Sequence, residues 1–327
     1  MLQARPEVLS LMHFSLCIVD EASQILEPSI IGILSSAAID RFVLVGDHKQ
    51  LPAVVAQPPQ LSVVDEPLLR AIALTDCRQS LFERLLRWEQ SQGRTQFVGT
   101  LTHQGRMHPD VARFPAHAFY RKEQLTAVGL SHQLEGALNY DLPAADALDR
   151  LLQSRRVIFL PTDTPSISPH SAPPTPNPTF STQNVTEARL VADLLRRIHR
   201  FYANNFSAEK TVGVIVPYRN QIALIRQELE ALGIPDLLNV SIDTVERYQG
   251  SQRDVIIYSF TVSHRYQLDF LTANTFDDDG LTIDRKLNVA LTRARRQMIM
   301  VGNASLLSSV PLFRQLIDDY TPSPLPS

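Results

Sequence analysis

Two acidic side chains, Asp20 and Glu21, stand directly after a short apolar run, Leu16-Cys17-Ile18-Val19. A second apolar run, Phe42-Val43-Leu44-Val45, ends in Gly46-Asp47-His48-Lys49-Gln50. Adjacent carboxylates at a strand end can hold a divalent cation such as Mg²⁺ and orient water for attack on a phosphoryl group. Both runs read as buried parallel strands. Polar groups at the carboxyl edge of such a sheet line the crevice where ligands bind. That chemistry requires the two strand ends to lie side by side. Residues 24–38 read as the crossover helix that returns the chain to the second strand in right-handed fashion.

The rest of the chain supplies the frame. Residues 57–67 form a Pro-bearing connector, 68–73 a short helix, and 80–92 a clearer helix. In the last, Leu81, Leu85 and Trp88 share a face and Ser80 is placed to cap it. Strands are expected at 96–101, 157–160, 212–216, 239–242, 255–260 and 298–301. Helices are expected at 184–201, 218–232 and 285–296, the first two with apolar residues along one face. Alternating strands and helices predict an α/β fold with a second parallel sheet. The domain division expected is 1–95 and 96–327, and residues 161–181, with seven prolines among Ser and Thr, read as a mobile loop.

Composition narrows the function classes. At 327 residues the chain has room for about two domains. A net charge of −3 gives no overall basic field, so any nucleic-acid site must be a local stripe. Cys17 and Cys77 are isolated and read as buried thiols of a reducing compartment, not as a disulfide or metal site. His103, His108 and His117 lack metal-ligand spacing and read as structural or surface residues. Asp277-Asp278-Asp279 reads as a solvated turn before Gly280. No apolar run is long enough to cross a bilayer, and the N-terminus lacks a signal-peptide profile. The expectation is a soluble, cytoplasmic protein with no membrane association.

Five strings in order carry a resemblance. They are Asp20-Glu21-Ala22-Ser23 (motif II), Gly46-Asp47-His48-Lys49-Gln50-Leu51-Pro52 (motif III) and Gln104-Gly105-Arg106-Met107-His108-Pro109 with Phe114-Pro115 and Phe119-Tyr120 (motif IV). Tyr248-Gln249-Gly250-Ser251-Gln252-Arg253-Asp254 (motif V) and Leu287-Asn288-Val289-Ala290-Leu291-Thr292-Arg293-Ala294-Arg295 (motif VI) follow. Together they resemble the C-terminal half of a superfamily 1B helicase, of the branch holding nonsense-mediated-decay helicases and replication helicase-nucleases. The resemblance implies a RecA-like P-loop NTPase fold, with a partial first RecA-like domain and a complete second one. It also implies ATP and Mg²⁺ as cofactors and single-stranded DNA or RNA as partner.

Residue roles follow from the same resemblance. Asp20 holds Mg²⁺ through water, Glu21 polarises the attacking water, and Gln50 senses the γ-phosphate. Arg106 and Arg293 match the two arginine fingers, a task suited to the planar, permanently charged guanidinium. Gly46, Asp47, Gln249, Gly250 and Gln252 fall on the nucleotide side, and Thr244 and Pro52 on the nucleic-acid side. Two departures stand out: Gly105 replaces an aromatic residue of motif IV, and Gln252 a glutamate of motif V.

The phosphate cradle is absent from the string. A P-loop requires GxxxxGK[ST]. Of the lysines Lys49, Lys122, Lys210 and Lys286, only Lys210 precedes Ser or Thr, and no glycine stands in the six residues before it. The expectation is that motif I lies before residue 1, that a missing N-terminal half completes the site, and that this chain alone hydrolyses no ATP. A non-catalytic nucleic-acid-binding or regulatory remnant is the second class, and an interaction module acting through the Pro-rich stretch the third.

Overall fold

The computed structural model describes residue 9 and residues 11–55, 57–163 and 182–323. From residue 164 onward, the loop expected at 161–181 lies outside the described residues. The chain divides into two compact units, Met1–Thr100 and Leu101–Ser327.

In the first unit, β1 (Cys17–Val19) and β2 (Phe42–Leu44) pair in parallel, with Cys17 opposite Phe42 and Val19 opposite Leu44. The connecting helix α1 (Glu27–Leu34) is shorter than the expected 24–38. Proline suits a first helical turn, where its missing N–H is not needed, and Pro28 stands there, so the helix starts at Glu27. Helix α2 (Pro67–Ala71) is a short piece, and α3 (Leu81–Ser91) is capped by Ser80, whose hydroxyl accepts from the Glu83 amide at 3.1 Å. Ile30, Leu34 and Leu81 form a small core against Cys17, Val19, Leu44 and Leu85. A bidentate pair from Arg84 to Glu27 (2.7 and 2.6 Å), shielded from water, clamps α3 to α1.

The strands are not buried on both sides, contrary to the expectation for a parallel sheet. Side chains alternate, so Ile18 and Val43 face away from the small core; they are 65% and 45% exposed, and Leu16 and Val45 continue the same open face. Among the described residues of this unit only two strands pair, and none of those residues covers their second face. Cys77 is likewise exposed and not a buried thiol.

The second unit is built on five parallel strands in the order β5-β11-β8-β6-β7: β5 (Val157–Pro161), β6 (Val212–Val216), β7 (Ser241–Thr244), β8 (Arg253–Ser259) and β11 (Ala294–Gly302). Before it come the bridge of β3 (His103–Gln104) with β4 (Thr126–Ala127), α4 (Pro109–Ala118) and α5 (Ala147–Ser154). Helices α6 (Val185–Tyr202) and α7 (Arg219–Leu232) cover one face, joined by short α8 (Pro235–Leu238). Ile158, Val214, Ile257 and Ile299 point into that layer, while Phe159, Ile256, Tyr258 and Met300 point the other way and are equally buried. There Phe260 meets Phe159 and Phe313 of α13 (Pro311–Tyr320). A sheet buried on both faces explains the near-continuous apolar runs.

Short pieces complete the unit: α9 (Val245–Tyr248), α10 (Gln267–Leu271), the hairpin of β9 (Thr275–Asp278) and β10 (Leu281–Asp284), α11 (Arg285–Leu291) and α12 (Ala304–Leu307). The aspartate triple sits at the hairpin tip, where Asp277 accepts from the Gly280 amide, as the solvated turn requires. Three expectations need correction. Residues 96–101 form no strand: Phe97 and Leu101 lie in solvent with no sheet to join. The strand expected at 239–242 is β7, two residues later, because the Asn239 amide closes a turn with Asp236. The helix expected over 285–296 ends at Leu291, because residues from Ala294 onward pair with β8. Among the described residues no helix is long and apolar enough to cross a membrane.

Candidate nucleotide and nucleic-acid site

In the first unit, the two strand ends are locked through a serine. The Ala22 amide donates to Val45 O (2.8 Å) and the Asp47 amide to the Ser23 hydroxyl (3.2 Å). A Cβ on Gly46 would stand 2.9 Å from the Ser23 amide nitrogen, so only glycine lets the two loops touch. Ser23 is named in motif II without a role; its signal was its place two residues after the acidic pair.

Asp20 and Glu21 are both exposed at this edge. Asp20 Oδ1 accepts from the Glu21 amide (2.9 Å), and Glu21 holds a left-handed backbone, φ 53°. For a non-glycine residue that conformation costs on the order of 1–3 kcal/mol and is commoner at functional sites. Gln24 Nε2 donates to Glu21 Oε2 (2.6 Å) and fixes the carboxylate. In the next loop Asp47 organises its own turn: Oδ1 accepts from the Lys49 amide and Oδ2 from Gln50 Nε2, each at 2.9 Å. Gln50 is thereby held beside the carboxylate of Asp47, Lys49 is almost wholly buried, and Pro52 is half-buried.

In the second unit, three distant strings meet at Arg106. Its Nε donates to Gln252 Oε1 (3.2 Å) and its Nη1 to Thr292 O (3.2 Å). The turn that presents Arg106 is built by amides: Gln104 Oε1 accepts from the Arg106 and Met107 amides, and Gln133 Nε2 donates to Gln104 O and Met107 O. His132 Nε2 donates to Arg106 O at 2.8 Å. His108 caps α4, its Nδ1 accepting from the Asp110 amide while Nε2 donates to Glu135 O. That bonding fixes the neutral tautomer, and burial lowers its pKa against the opposing pull of the Glu135 carbonyl. His108 is therefore structural, as its context suggested.

Arg293 lies in the tight connection between α11 and β11, not inside a helix. Its side chain is 1% exposed, with Nε donating to Val289 O (3.0 Å) and Nη2 to Thr292 Oγ1 (3.1 Å). Thr292 itself donates to Asn288 O, which finishes α11. The following arginines are tied elsewhere, Arg295 to Asp254 at 2.9 Å and Arg296 to Glu135 at 2.8 Å.

Motif V begins where α9 ends. Tyr248 Oη donates to Ser241 O (3.2 Å), and Arg253 lies over its ring. Gly250 takes φ 80°, and the neighbouring Gln249 keeps a buried Nε2 without an acceptor among the described residues. An orphaned donor of that kind suits an oxygen-rich ligand. Thr244 closes β7 and starts α9, nearly buried. Gly105 has no ring to offer; a Cβ there would press on Leu130 and Val128 at 3.3 Å.

The donor set fits Mg²⁺ with a nucleotide. Among the described residues no group of three or more His, Cys, Asp or Glu could hold a metal alone. One or two carboxylates completed by substrate phosphates and water is the usual way Mg²⁺ is held.

Residues 77–305 match a family model described as an AAA domain, and residues 2–58 match a second with the same description. The chain is 30% identical over 312 residues to the DNA replication ATP-dependent helicase/nuclease JHS1 of Arabidopsis thaliana, an overlap of 94% of this chain and 20% of that protein. It is 30% identical over 315 residues to Helicase sen1 of Schizosaccharomyces pombe, covering 95% of this chain and 16% of the relative. With Regulator of nonsense transcripts 1 of Dictyostelium discoideum the identity is 29% over 316 residues, 95% of this chain and 20% of the relative. The chain thus spans a fifth or less of these relatives' length. With a RecA-like α/β architecture and these matches along nearly its whole length, the chain belongs to the AAA-domain helicases of superfamily 1, a family of ATP-dependent enzymes.

Proposed function

We propose that this chain supplies the catalytic carboxylates, the arginines and the nucleic-acid contacts of an ATP-dependent translocase on single-stranded DNA or RNA. The phosphate cradle comes from sequence upstream of residue 1, and without it the chain turns over no ATP. The observation that carries this reading is the convergence of Arg106, Gln252 and the Thr292 carbonyl, 146 and 186 residues apart in sequence. A cation held at one such junction can report on phosphate charge to several elements at once.

In this reading Asp20 holds Mg²⁺ through water. When bound, the ion neutralises charge on the phosphoryl oxygens. Glu21, its Oε2 fixed by Gln24, keeps Oε1 for the attacking water. Arg106 and Arg293 stabilise the charge that develops on the transferred group, Arg293 as a charge already fixed by the Val289 carbonyl. Gln50 and Asp47 link the occupied site to the strand-binding elements, with Gly46 allowing the close approach. Gln249, Gly250 and Gln252 face the nucleotide, and Thr244 and Pro52 touch the strand backbone.

The test is ATP hydrolysis stimulated by single-stranded nucleic acid, measured for the chain alone and with an upstream half restored. The expected result is turnover only in the restored protein, abolished by Glu21→Gln with ATP binding retained. No turnover in a folded, restored protein would sink the motor reading and leave a non-catalytic remnant. Turnover surviving Glu21→Gln would remove that residue from its role.

A further inference from the structure

The turn that presents Arg106 is held from outside by a distant piece of chain. His132, 26 residues further along in the short turn Ser131–Gln133, donates from Nε2 to Arg106 O at 2.8 Å. Its neighbour Gln133 donates to Gln104 O and Met107 O, each at 2.9 Å. His132 is 5% exposed, so its ring nitrogens must find their partners within the protein. A carbonyl only accepts, so Nε2 carries the proton, and in the neutral ring Nδ1 is then an acceptor. Nδ1 faces Arg295 Nη2 at 3.4 Å, and that guanidinium is held in turn by Asp254 of β8 at 2.9 Å. The ring thus stands between the Arg106 main chain and the start of β11.

Further ties make this stretch a bracket. Glu135 pairs with Arg296 at 2.8 Å, and the His108 amide, two residues after Arg106, donates to Arg295 O at 2.7 Å. Arg293 stands two residues before Arg295. One bracket therefore carries both arginines proposed to act on phosphate charge. Arg106 reaches Thr292 O only while its main chain stays in register with the connection into β11. The Arg106 amide is held from within its own turn, by Gln104 Oε1; its carbonyl is held from outside, by His132. Removing the imidazole frees that peptide plane, and with it the direction in which the side chain leaves.

We infer that His132 is a positioning residue for Arg106: its neutral imidazole, protonated on Nε2, pins the Arg106 carbonyl against β11 and aims the guanidinium before any nucleotide arrives. A charge aimed in advance needs no reorientation during the reaction, whereas a misplacement of about 1 Å can cost about 10²-fold in rate. The inference rests on the charge-stabilising role of Arg106 proposed above.

Two measurements test it. In the full chain labelled with nitrogen-15, the Arg106 Nε–H resonance, assigned by its loss in Arg106→Lys, reports whether the guanidinium is held. Wild type is expected to show a resolved, slowly exchanging signal. His132→Asn sets its amide at the level of Nδ1, too short to reach Arg106 O, and should broaden or erase that signal. His132→Gln, one methylene longer, should restore it. In the protein with the upstream half restored, His132→Asn should lower kcat about 10-fold with little change in KM for ATP, and His132→Gln should recover most of the loss. Adding His132→Asn to Arg106→Ala should cost nothing further, because the imidazole acts only through that arginine. A missing wild-type signal, one unchanged in His132→Asn, or one not restored in His132→Gln overturns the inference, as does a double variant slower than Arg106→Ala. Full kcat in His132→Asn, with Arg106→Ala impaired, overturns the pin and leaves the role of Arg106 standing. Full kcat in Arg106→Ala removes that role and the inference together. Should His132→Asn lose its circular-dichroism signature, His132→Phe, which keeps a ring and offers no N–H, carries both comparisons.

Discussion

Glu187 shows how a single buried carboxyl can set a pH response. It lies in the first turn of α6 with no solvent contact, accepting from Ser259 Oγ (2.6 Å) and the Thr261 amide (2.7 Å). Burial raises its pKa from 4.5 to about 8, against the pull of those donors. The folded state therefore binds the proton more tightly than the unfolded chain. Its stabilising contribution is complete below the unfolded pKa and is lost as pH rises through the folded one. Between about pH 5 and 8 the wild type should lose on the order of 1 kcal/mol per pH unit from this group. Glu187→Gln, which keeps the shape and cannot ionise, should lack that component. Urea unfolding of both proteins at pH 6 and pH 8 checks it: a stability gap that does not move toward the glutamine variant by about 2 kcal/mol would falsify the assignment. A second prediction concerns Arg106. Its two bonds leave from different nitrogens, toward Gln252 and toward the Thr292 carbonyl. The single ammonium of lysine cannot span that fork. Arg106→Lys in the restored protein should lower kcat by about 10²-fold or more, with little change in chain stability.

At the scale of elements, the start of motif V depends on a glycine in a neighbouring strand. A Cβ on Gly213 of β6 would lie 1.8 Å from Tyr248 Oη and 2.9 Å from its ring carbon Cζ. Gly213→Ala must push the ring aside, breaking its bond to Ser241 O and its contact with Arg253. Overpacking of this kind costs about 1–3 kcal/mol. Adding Tyr248→Phe removes the nearer clash only, so thermal unfolding of the double variant should recover part of the loss; no recovery would locate the strain elsewhere. That glycine was silent in the sequence, because its reason is a ring 35 positions away. Four of the five strands of the main sheet, β5, β6, β8 and β11, were legible, since burial on both faces leaves near-continuous apolar runs, and so was the Ser80 cap, a purely local device; the short pairs β3–β4 and β9–β10 carry no such run. Arg293 was misread as helical: Leu287 and Leu291 keep helical spacing, and the competing claim on residues from Ala294 comes from pairing with β8. His132 went unnoticed because its partners, Arg106 and Arg295, are both distant in sequence.

For the whole molecule, the open side of the first unit is the feature that separates chain from proposed enzyme. Legible motif strings marked Asp20, Glu21 and Gln50, but the same apolar runs made both strand faces look buried. Apolarity reports what a face needs, not whether the cover is present. Leu16, Ile18, Val43 and Val45 lie on the side that no described residue of this unit covers, and a parallel pair is ordinarily enclosed on both sides. The proposed upstream half supplies that cover, and the energetic consequence can be measured twice on the same substitutions. In the 327-residue chain, Ile18→Thr with Val43→Thr alters exposed side chains and should change unfolding free energy by no more than about 0.5 kcal/mol per site. In the restored protein each side chain becomes buried, and the same changes should cost about 1–3 kcal/mol each and depress ATP turnover with stability. Equal, small costs in both contexts would mean that the upstream sequence does not close this sheet. The phosphate cradle would then have to reach Asp20 and Glu21 by a route other than completion of the first unit.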